Sequence, residues 1–137
     1  MHENNRIQGM LLGLHVGDSL GATLEFTKPC PAYDPEHFHR EIIGKGPFSW
    51  QAGDATDDTD LMICILDDIT EHERLIPESL MSKFLKWYAT DPADIGITTR
   101  IAFQKAKRGI PALECGDPDP DAQGNGSLMR CAPLVLL

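Results

Sequence analysis

The sequence predicts an all-α protein. Alternation of apolar and polar residues, the pattern of a half-buried strand, is scarce, whereas four segments carry apolar residues at helical spacing. Residues that start or end helices flank several of these segments. A chain of 137 residues has the length of one domain and can bury roughly 68–70% of its unfolded surface, so we expect a true hydrophobic core.

The first helical segment, residues 5–26, has glycine at every fourth position: Gly9, Gly13, Gly17 and Gly21. On a helix this spacing forms a smooth stripe that another backbone can approach closely. Because each glycine costs about 1 kcal/mol relative to alanine, the stripe needs a packing or ligand reason, or the helix breaks. We favour tight helix packing, with leucines on another face of the helix buried: Leu11, Leu14, Leu20 and Leu24.

Three further helices are expected after a proline-rich stretch. The second runs from about Asp57 to Thr70. The third is "PESLMSKFLKWYA", with Pro77 in its first turn and an aromatic and apolar face that we assign to the core. The fourth runs from Thr98 to Arg108, with basic residues near its C-terminus and Gly109 after it.

The composition argues against two classes of partner. The chain has 21 acidic and 12 basic residues, a net charge of −9, whereas nucleic acid and anionic membranes both require a basic face. The four cysteines are widely spaced, and "MHENNRIQ" lacks the regions of a signal peptide, so we predict free thiols and a cytoplasmic protein. No apolar stretch is long enough to span a bilayer.

The stretch "GDATDDTD", residues 53–60, raises the main question about function, because it has four aspartates directly before the apolar "LMICIL". One interpretation is a helix start, with Thr56 as N-cap and with Asp57 and Asp58 each contributing roughly 0.3–1 kcal/mol through the helix dipole. The other is a site for a hard cation, which prefers carboxylate and hydroxyl oxygens. Carboxylates that converge below the surface require a counter-ion, and exposed, splayed ones do not. The octet alone leaves both interpretations open.

Several motifs in this order resemble the N-terminal half of the ADP-ribosylglycohydrolase family, most closely its dinitrogenase reductase-activating type: "GMLLGLHVGDSLGATLEF", "GDATDDTDLMICILDDI", "DPADIGITTR" and "GNGSLMRCAPLVLL". The resemblance covers residues from about 7 to 137. It implies that residues 1–137 are the N-terminal portion of a single domain, an all-α orthogonal bundle that is incomplete here at its C-terminus. It also implies a cleft with two Mg²⁺ or Mn²⁺ ions that binds ADP-ribose attached to a protein side chain or a related conjugate.

The resemblance also implies roles for named residues. Thr56, Asp57 and Asp58 match the first metal-binding motif, and Glu25 matches a glutamate close to the metals and the scissile bond. Glu25 and Asp58 are the implied catalytic residues, and Asp94 matches an acidic residue that lines the substrate ribose. The loop that wraps ADP-ribose is matched by Gly124, Asn125, Gly126, Ser127, Met129 and Arg130.

The residue types suit the implied reaction, although each also has a structural interpretation. Hydrolysis of a ribosyl bond passes through an oxocarbenium-like state, which requires an activated water and negative charge nearby. Glycines allow backbone N–H groups to approach phosphates, and Arg130 adds positive charge. Alternatively, Glu25 is a solvated carboxylate, Asp94 caps a turn, and residues 124–127 are an ordinary loop and N-cap.

One feature of the family is missing. A later D-x-D-T motif, which supplies roughly half of the metal ligands, does not follow "GNGSLMR", and the chain stops on the apolar "PLVLL". We expect a continuation or a complementing C-terminal half, and we do not expect this chain alone to hold two metals tightly. The leading hypothesis is therefore a metal-dependent ADP-ribosyl hydrolase. The alternative is a catalytically inactive fragment that binds ADP-ribose or a partner chain.

Overall fold

The computed structural model describes residues 2–27, 34–36 and 38–137. In this part of the chain there are four α-helices, two short 3-10 helices and one isolated β-bridge, so the all-α prediction is confirmed. The chain divides into two compact units, Met1–Thr56 (unit 1) and Asp57–Leu137 (unit 2). No helix among the described residues is long and apolar enough to cross a membrane.

Unit 1 begins with helix α1, His2–Gly21. The helix is unbroken through all four glycines of the stripe and ends in a turn at residues 22–26, earlier than the pattern suggested. In the described part of the chain, nothing packs within 4 Å of the Cβ positions of Gly9, Gly13, Gly17 or Gly21. The tight packing expected along the stripe is therefore not formed by these residues. Of the four leucines expected to be buried, Leu24 is exposed and the other three are half-buried.

A tight turn follows in unit 1. Lys45 and Trp50 exchange two backbone hydrogen bonds, with N···O distances of 2.6 and 2.8 Å. Gly44, at φ +64°, leads into the turn, and a Cβ there would lie 2.4 Å from the carbonyl oxygen of Trp50. Thr23 Oγ1 donates to the carbonyl of Gly44 at 2.8 Å, so the turn is tied to the end of α1. Only glycine meets both the conformational and the steric demand at residue 44.

Unit 2 contains helices α2 (Asp57–His72), α3 (Pro77–Tyr88) and α4 (Ile97–Lys107). Their bounds lie within two residues of the predicted ones. Gly109 has φ +85°, the conformation expected of a glycine after a helix C-terminus. Two 3-10 helices follow, at Ala112–Glu114 and Ala132–Leu136.

The core of unit 2 is built from the apolar faces of its three α-helices and from Ile95, which precedes α4. Phe103 of α4 is 1% exposed, and its ring centroid lies 5.5 Å from that of Phe84 and 5.7 Å from that of Tyr88. The aromatic face of α3 is therefore core, as predicted. The buried residues of this cluster are Leu61, Ile65, Ile69, Phe84, Ile95 and Phe103.

The prediction of free thiols is confirmed for the three cysteines that the structure describes. Cys64, Cys115 and Cys131 are free, and Cys30 lies outside the described residues. Burial raises the pKa of the Cys64 thiol to about 11, and the negative charges of Asp67 and Asp60 add to the shift. Cys64 is therefore a protonated, unreactive side chain at neutral pH.

Candidate functional site

The four aspartates of the octet separate into two groups in the structure. The Asp54 carboxylate accepts a hydrogen bond from the backbone N–H of Gln51 at 2.7 Å and stabilises a turn. The Asp60 carboxylate accepts a hydrogen bond from the indole N–H of Trp87 at 2.7 Å and joins α2 to α3. These two contacts give Asp54 and Asp60 structural roles. Asp57 and Asp58, the other two aspartates, lie in the first turn of α2.

Thr56 is fixed by a residue that the sequence analysis did not single out. Its backbone N–H donates to Asp18 Oδ2 at 3.0 Å, and its hydroxyl donates to Asp18 Oδ1 at 2.7 Å. Thr56 is 3% exposed and directly precedes Asp57, the first residue of α2, so it stands at the N-cap position of the predicted helix. The one available signal was the charge of Asp18, which interrupts the apolar run of α1.

Asp57 is a buried carboxylate with a positive charge nearby. It is 6% exposed, and its Oδ2 accepts a hydrogen bond from the backbone N–H of Gly96 at 3.2 Å. Burial lowers the pKa of the Arg130 guanidinium, and the negative charge of Asp57 opposes that shift. Arg130 is therefore a positive charge of unit 2 that is close enough to interact with Asp57.

The predicted substrate loop packs against the start of α4. A Cβ at Gly126 would lie 2.8 Å from Thr99 Oγ1, and one at Gly124 would lie 3.4 Å from Thr98 Oγ1. The backbone N–H of Met129 donates to the carbonyl of Asn125 at 3.0 Å, which closes a turn in the loop. Gly126 therefore permits a close approach between the loop and α4, whereas a Cβ at Gly124 would make an ordinary contact.

Unit 2 thus brings several of the predicted site residues to one region. Asp57 contacts Gly96 directly, Asp94 is two residues before Gly96 and is 6% exposed, and the loop reaches Thr99. Ser127 is exposed, whereas Met129 packs against the core of the unit. The start of α2, the segment before α4 and the 124–130 loop form one connected cluster.

Glu25 and Asp58, the predicted catalytic residues, lie in different surroundings. Glu25 belongs to the turn after α1 in unit 1, where its backbone N–H donates to the carbonyl of Gly21 at 3.1 Å and the residue is exposed. Asp58 is half-buried in the first turn of α2.

The oxygen atoms of the residues at the start of α2 are of the type that binds a hard cation. Thr56, Asp57 and Asp58 offer hydroxyl and carboxylate oxygens, the ligands that Mg²⁺ and Mn²⁺ prefer. Within residues 2–27, 34–36 and 38–137, no group of three or more His, Cys, Asp or Glu residues is arranged to hold a metal ion. The described residues therefore do not by themselves form a metal site.

The fold and the sequence are both those of a known class of proteins. The chain matches the solved structure of an "ADP-ribosylglycohydrolase-related protein complex" with a TM-score of 0.74 and 37% identity, over 95% of this chain and 41% of that one. The family model ADP-ribosylglycohydrolase matches residues 2–137. The chain belongs to the ADP-ribosylglycohydrolase family, as its motifs predicted.

Two relatives with named activities are similar to this chain in sequence. The chain is 34% identical over 139 residues to an "ADP-ribosylarginine hydrolase Tri1" of Pseudomonas putida (strain GB-1). The aligned region covers 96% of this chain and 36% of that protein. It is 31% identical over 134 residues to an "ADP-ribosyl-[dinitrogen reductase] glycohydrolase" of Rhodospirillum rubrum, over 97% of this chain and 45% of the relative. The chain thus spans less than half the length of the curated relatives that it matches.

Proposed function

We propose that this chain is the N-terminal portion of an ADP-ribosylglycohydrolase domain that removes ADP-ribose from a modified protein side chain. The observation that carries the proposal is the cluster in unit 2, where Asp57, the segment containing Asp94 and the 124–130 loop meet. Family membership supports the class of reaction, and the residues of the cluster are of the types that this reaction requires.

The residues of the chain have separate tasks in this proposal. Asp57 and Asp58 provide negative charge next to the ribose, where positive charge develops as the glycosidic bond breaks. Asp94 orients a ribose hydroxyl, and the backbone N–H groups of the 124–127 loop bind phosphate oxygens. Glu25 acts as the base that takes a proton from the attacking water.

A divalent ion fits the same oxygens. Thr56, Asp57 and Asp58 would hold Mg²⁺ or Mn²⁺ together with ligands from outside the described residues, and the ion would lower the pKa of a bound water. Asp18 has a supporting task, because both of its oxygens hold Thr56 in place. This arrangement orients the threonine before any ion binds.

Arginine is the modified side chain that we propose first. The Pseudomonas putida relative is named ADP-ribosylarginine hydrolase. A second relative, from Serratia proteamaculans (strain 568) and 34% identical over 140 residues, has the same name. The proposal that the substrate contains ADP-ribose is supported by the described residues of the chain. The proposal that arginine is the modified side chain is supported by the names of the relatives.

The test is release of ADP-ribose by the complete gene product. We expect release from ADP-ribosylarginine that depends on Mg²⁺ or Mn²⁺ and falls by at least about 100-fold, or roughly 2.7 kcal/mol, in Asp57→Asn and in Asp58→Asn. Asp67→Asn is the matched control, because Asp67 is an exposed aspartate of the same helix. Full activity in both site variants, or no release from arginine, serine or small-molecule conjugates, would contradict the proposal.

A binding measurement separates a hydrolase from an inactive binding module. We expect calorimetric titration of the complete gene product with ADP-ribose to give tighter binding with Mg²⁺ than without it. Binding that is independent of the metal and unchanged by Asp57→Ala and Asp58→Ala would favour the inactive module.

A further inference from the structure

A second region of unit 2 has the features of a small-molecule site. A cavity of about 260 Å³ lies among α3, α4 and the first 3-10 helix. Its walls are mainly apolar and include Leu80, Phe84, Ala102 and Phe103. Leu113, which also lines it, is 84% exposed, so a ligand can enter from solvent on that side. Ligand pockets are typically apolar with a few polar groups, and this cavity has that composition.

The charged group that lines this cavity is Arg130. Its guanidinium lies over the ring of Phe84, with the central carbon 4.7 Å from the ring centroid. Its Nη1 is buried and has no hydrogen-bond partner among the described residues. A buried donor without a partner costs roughly 1–3 kcal/mol, and more when the group is charged. The guanidinium therefore has capacity for an anionic acceptor.

We propose that the cavity binds a small carboxylic acid with a flat apolar body, whose carboxylate pairs with Arg130 and whose ring packs against Phe84 and Phe103. The inference goes beyond the hydrolase function, because the ligand occupies the space between α3 and α4 and undergoes no reaction there. Arginine N–H groups donate strong, charge-assisted hydrogen bonds to carboxylates, and the unpartnered Nη1 can donate one.

The size of the cavity limits the ligand. An apolar cavity of about 150 Å³ in another protein is large enough for benzene. A volume of about 260 Å³ accommodates one ring and a short acidic side chain, but not a nucleotide. The negative charge of Asp57, which also acts on Arg130, weakens binding of a second anion. We therefore expect a dissociation constant of about 1 mM for a simple aromatic acid.

The test compares phenylacetate with phenylacetamide, a neutral molecule of nearly the same shape. Methyl signals of Leu80 and Met81, both of which line the cavity, are followed by NMR in the complete gene product during titration. We expect phenylacetate to shift these signals to saturation and phenylacetamide to bind at least 10-fold more weakly. Equal binding of both compounds, or no shift at these methyls up to about 50 mM, would overturn the proposal.

Two variants test separately the roles of the charge of Arg130 and of the cavity volume. Arg130→Gln removes the charge, and we expect it to abolish the preference for phenylacetate over the amide. Ala102→Leu fills part of the cavity and keeps Arg130, and we expect it to weaken both compounds at least 10-fold. If Arg130→Gln does not fold, the compound pair and Ala102→Leu still decide the question. Retention of the acid preference in Arg130→Gln would refute the pairing. None of these readouts uses hydrolysis, so failure here is distinguishable from failure of the proposed function.

Discussion

Gly126→Ala tests whether the predicted substrate loop is held against α4 by close approach. The new Cβ would lie 2.8 Å from Thr99 Oγ1, and real Cβ atoms essentially never come closer than 3.0 Å to another heavy atom. Thr99 is 6% exposed and β-branched, so its side chain has little freedom to rotate away. Overpacking of this kind costs about 1–3 kcal/mol, and we expect about 2 kcal/mol of lost stability in unit 2.

The assay is urea denaturation followed by the fluorescence of Trp87. The 137-residue chain has two tryptophans, so in that chain a Trp50→Phe background leaves Trp87 of unit 2 as the single tryptophan. Gly116→Ala is the matched control, because nothing lies within 4 Å of a Cβ at that glycine. We expect the control to change the free energy of unfolding by less than about 0.5 kcal/mol.

A double-mutant cycle with Thr99→Ala isolates the contact. Removal of the threonine hydroxyl eliminates the clash, so we expect the double variant to recover about 1–2 kcal/mol relative to the sum of the single changes. Additivity within about 0.5 kcal/mol, or an equal loss in Gly116→Ala, would show that the loop does not pack on Thr99 as described.

Three further predictions concern single residues. Gly44→Ala combines a positive φ with a backbone clash and should destabilise unit 1 by about 2–5 kcal/mol. In Gly53→Ala the new Cβ meets no close atom, so this control should show only the smaller cost of the positive φ. Equal losses of stability in urea titrations of the two variants would contradict this. Trp87→Phe leaves the Asp60 carboxylate without its indole donor and should cost about 1–3 kcal/mol; an unchanged unfolding midpoint would refute that role. Cys64, with its pKa raised from 9.0 to about 11, should react with iodoacetamide at pH 8 about 100-fold more slowly than an unperturbed thiol, as measured by mass spectrometry of the folded chain. The same shift makes stability fall as the pH rises from 9 towards 11, because the unfolded chain then loses the proton first.

The sequence predicted the helices of unit 2 well because their ends carry local signals. Pro77 starts α3, Gly109 follows α4 with a positive φ, and Thr56 precedes α2 at the N-cap position. The end of α1 had no such signal. Its glycine and leucine pattern continues past Gly21, whereas the chain turns at residues 22–26 and Phe26 adopts φ +57°.

The candidate site was predictable in its residue types but not in its contacts. The octet appeared as one cluster of charge, yet Asp60 is engaged by Trp87, which is 27 residues away in sequence. Asp18 holds Thr56 from 38 residues away. Such tertiary hydrogen bonds leave no pattern in a single sequence. The position of the Arg130 guanidinium over the Phe84 ring is equally non-local.

In the proposed function, Thr56, Asp57 and Asp58 direct their oxygens at divalent cations, and Glu25 lies close to the same ions as the base. Crystals of the complete gene product grown with Mn²⁺, and measured at the manganese absorption edge, test it without reference to activity. We expect anomalous peaks about 2.0–2.2 Å from oxygens of Thr56, Asp57 and Asp58, with the Glu25 carboxylate close to the same ions. Manganese bound elsewhere, or Glu25 on the opposite face of the protein from these three residues, would contradict it.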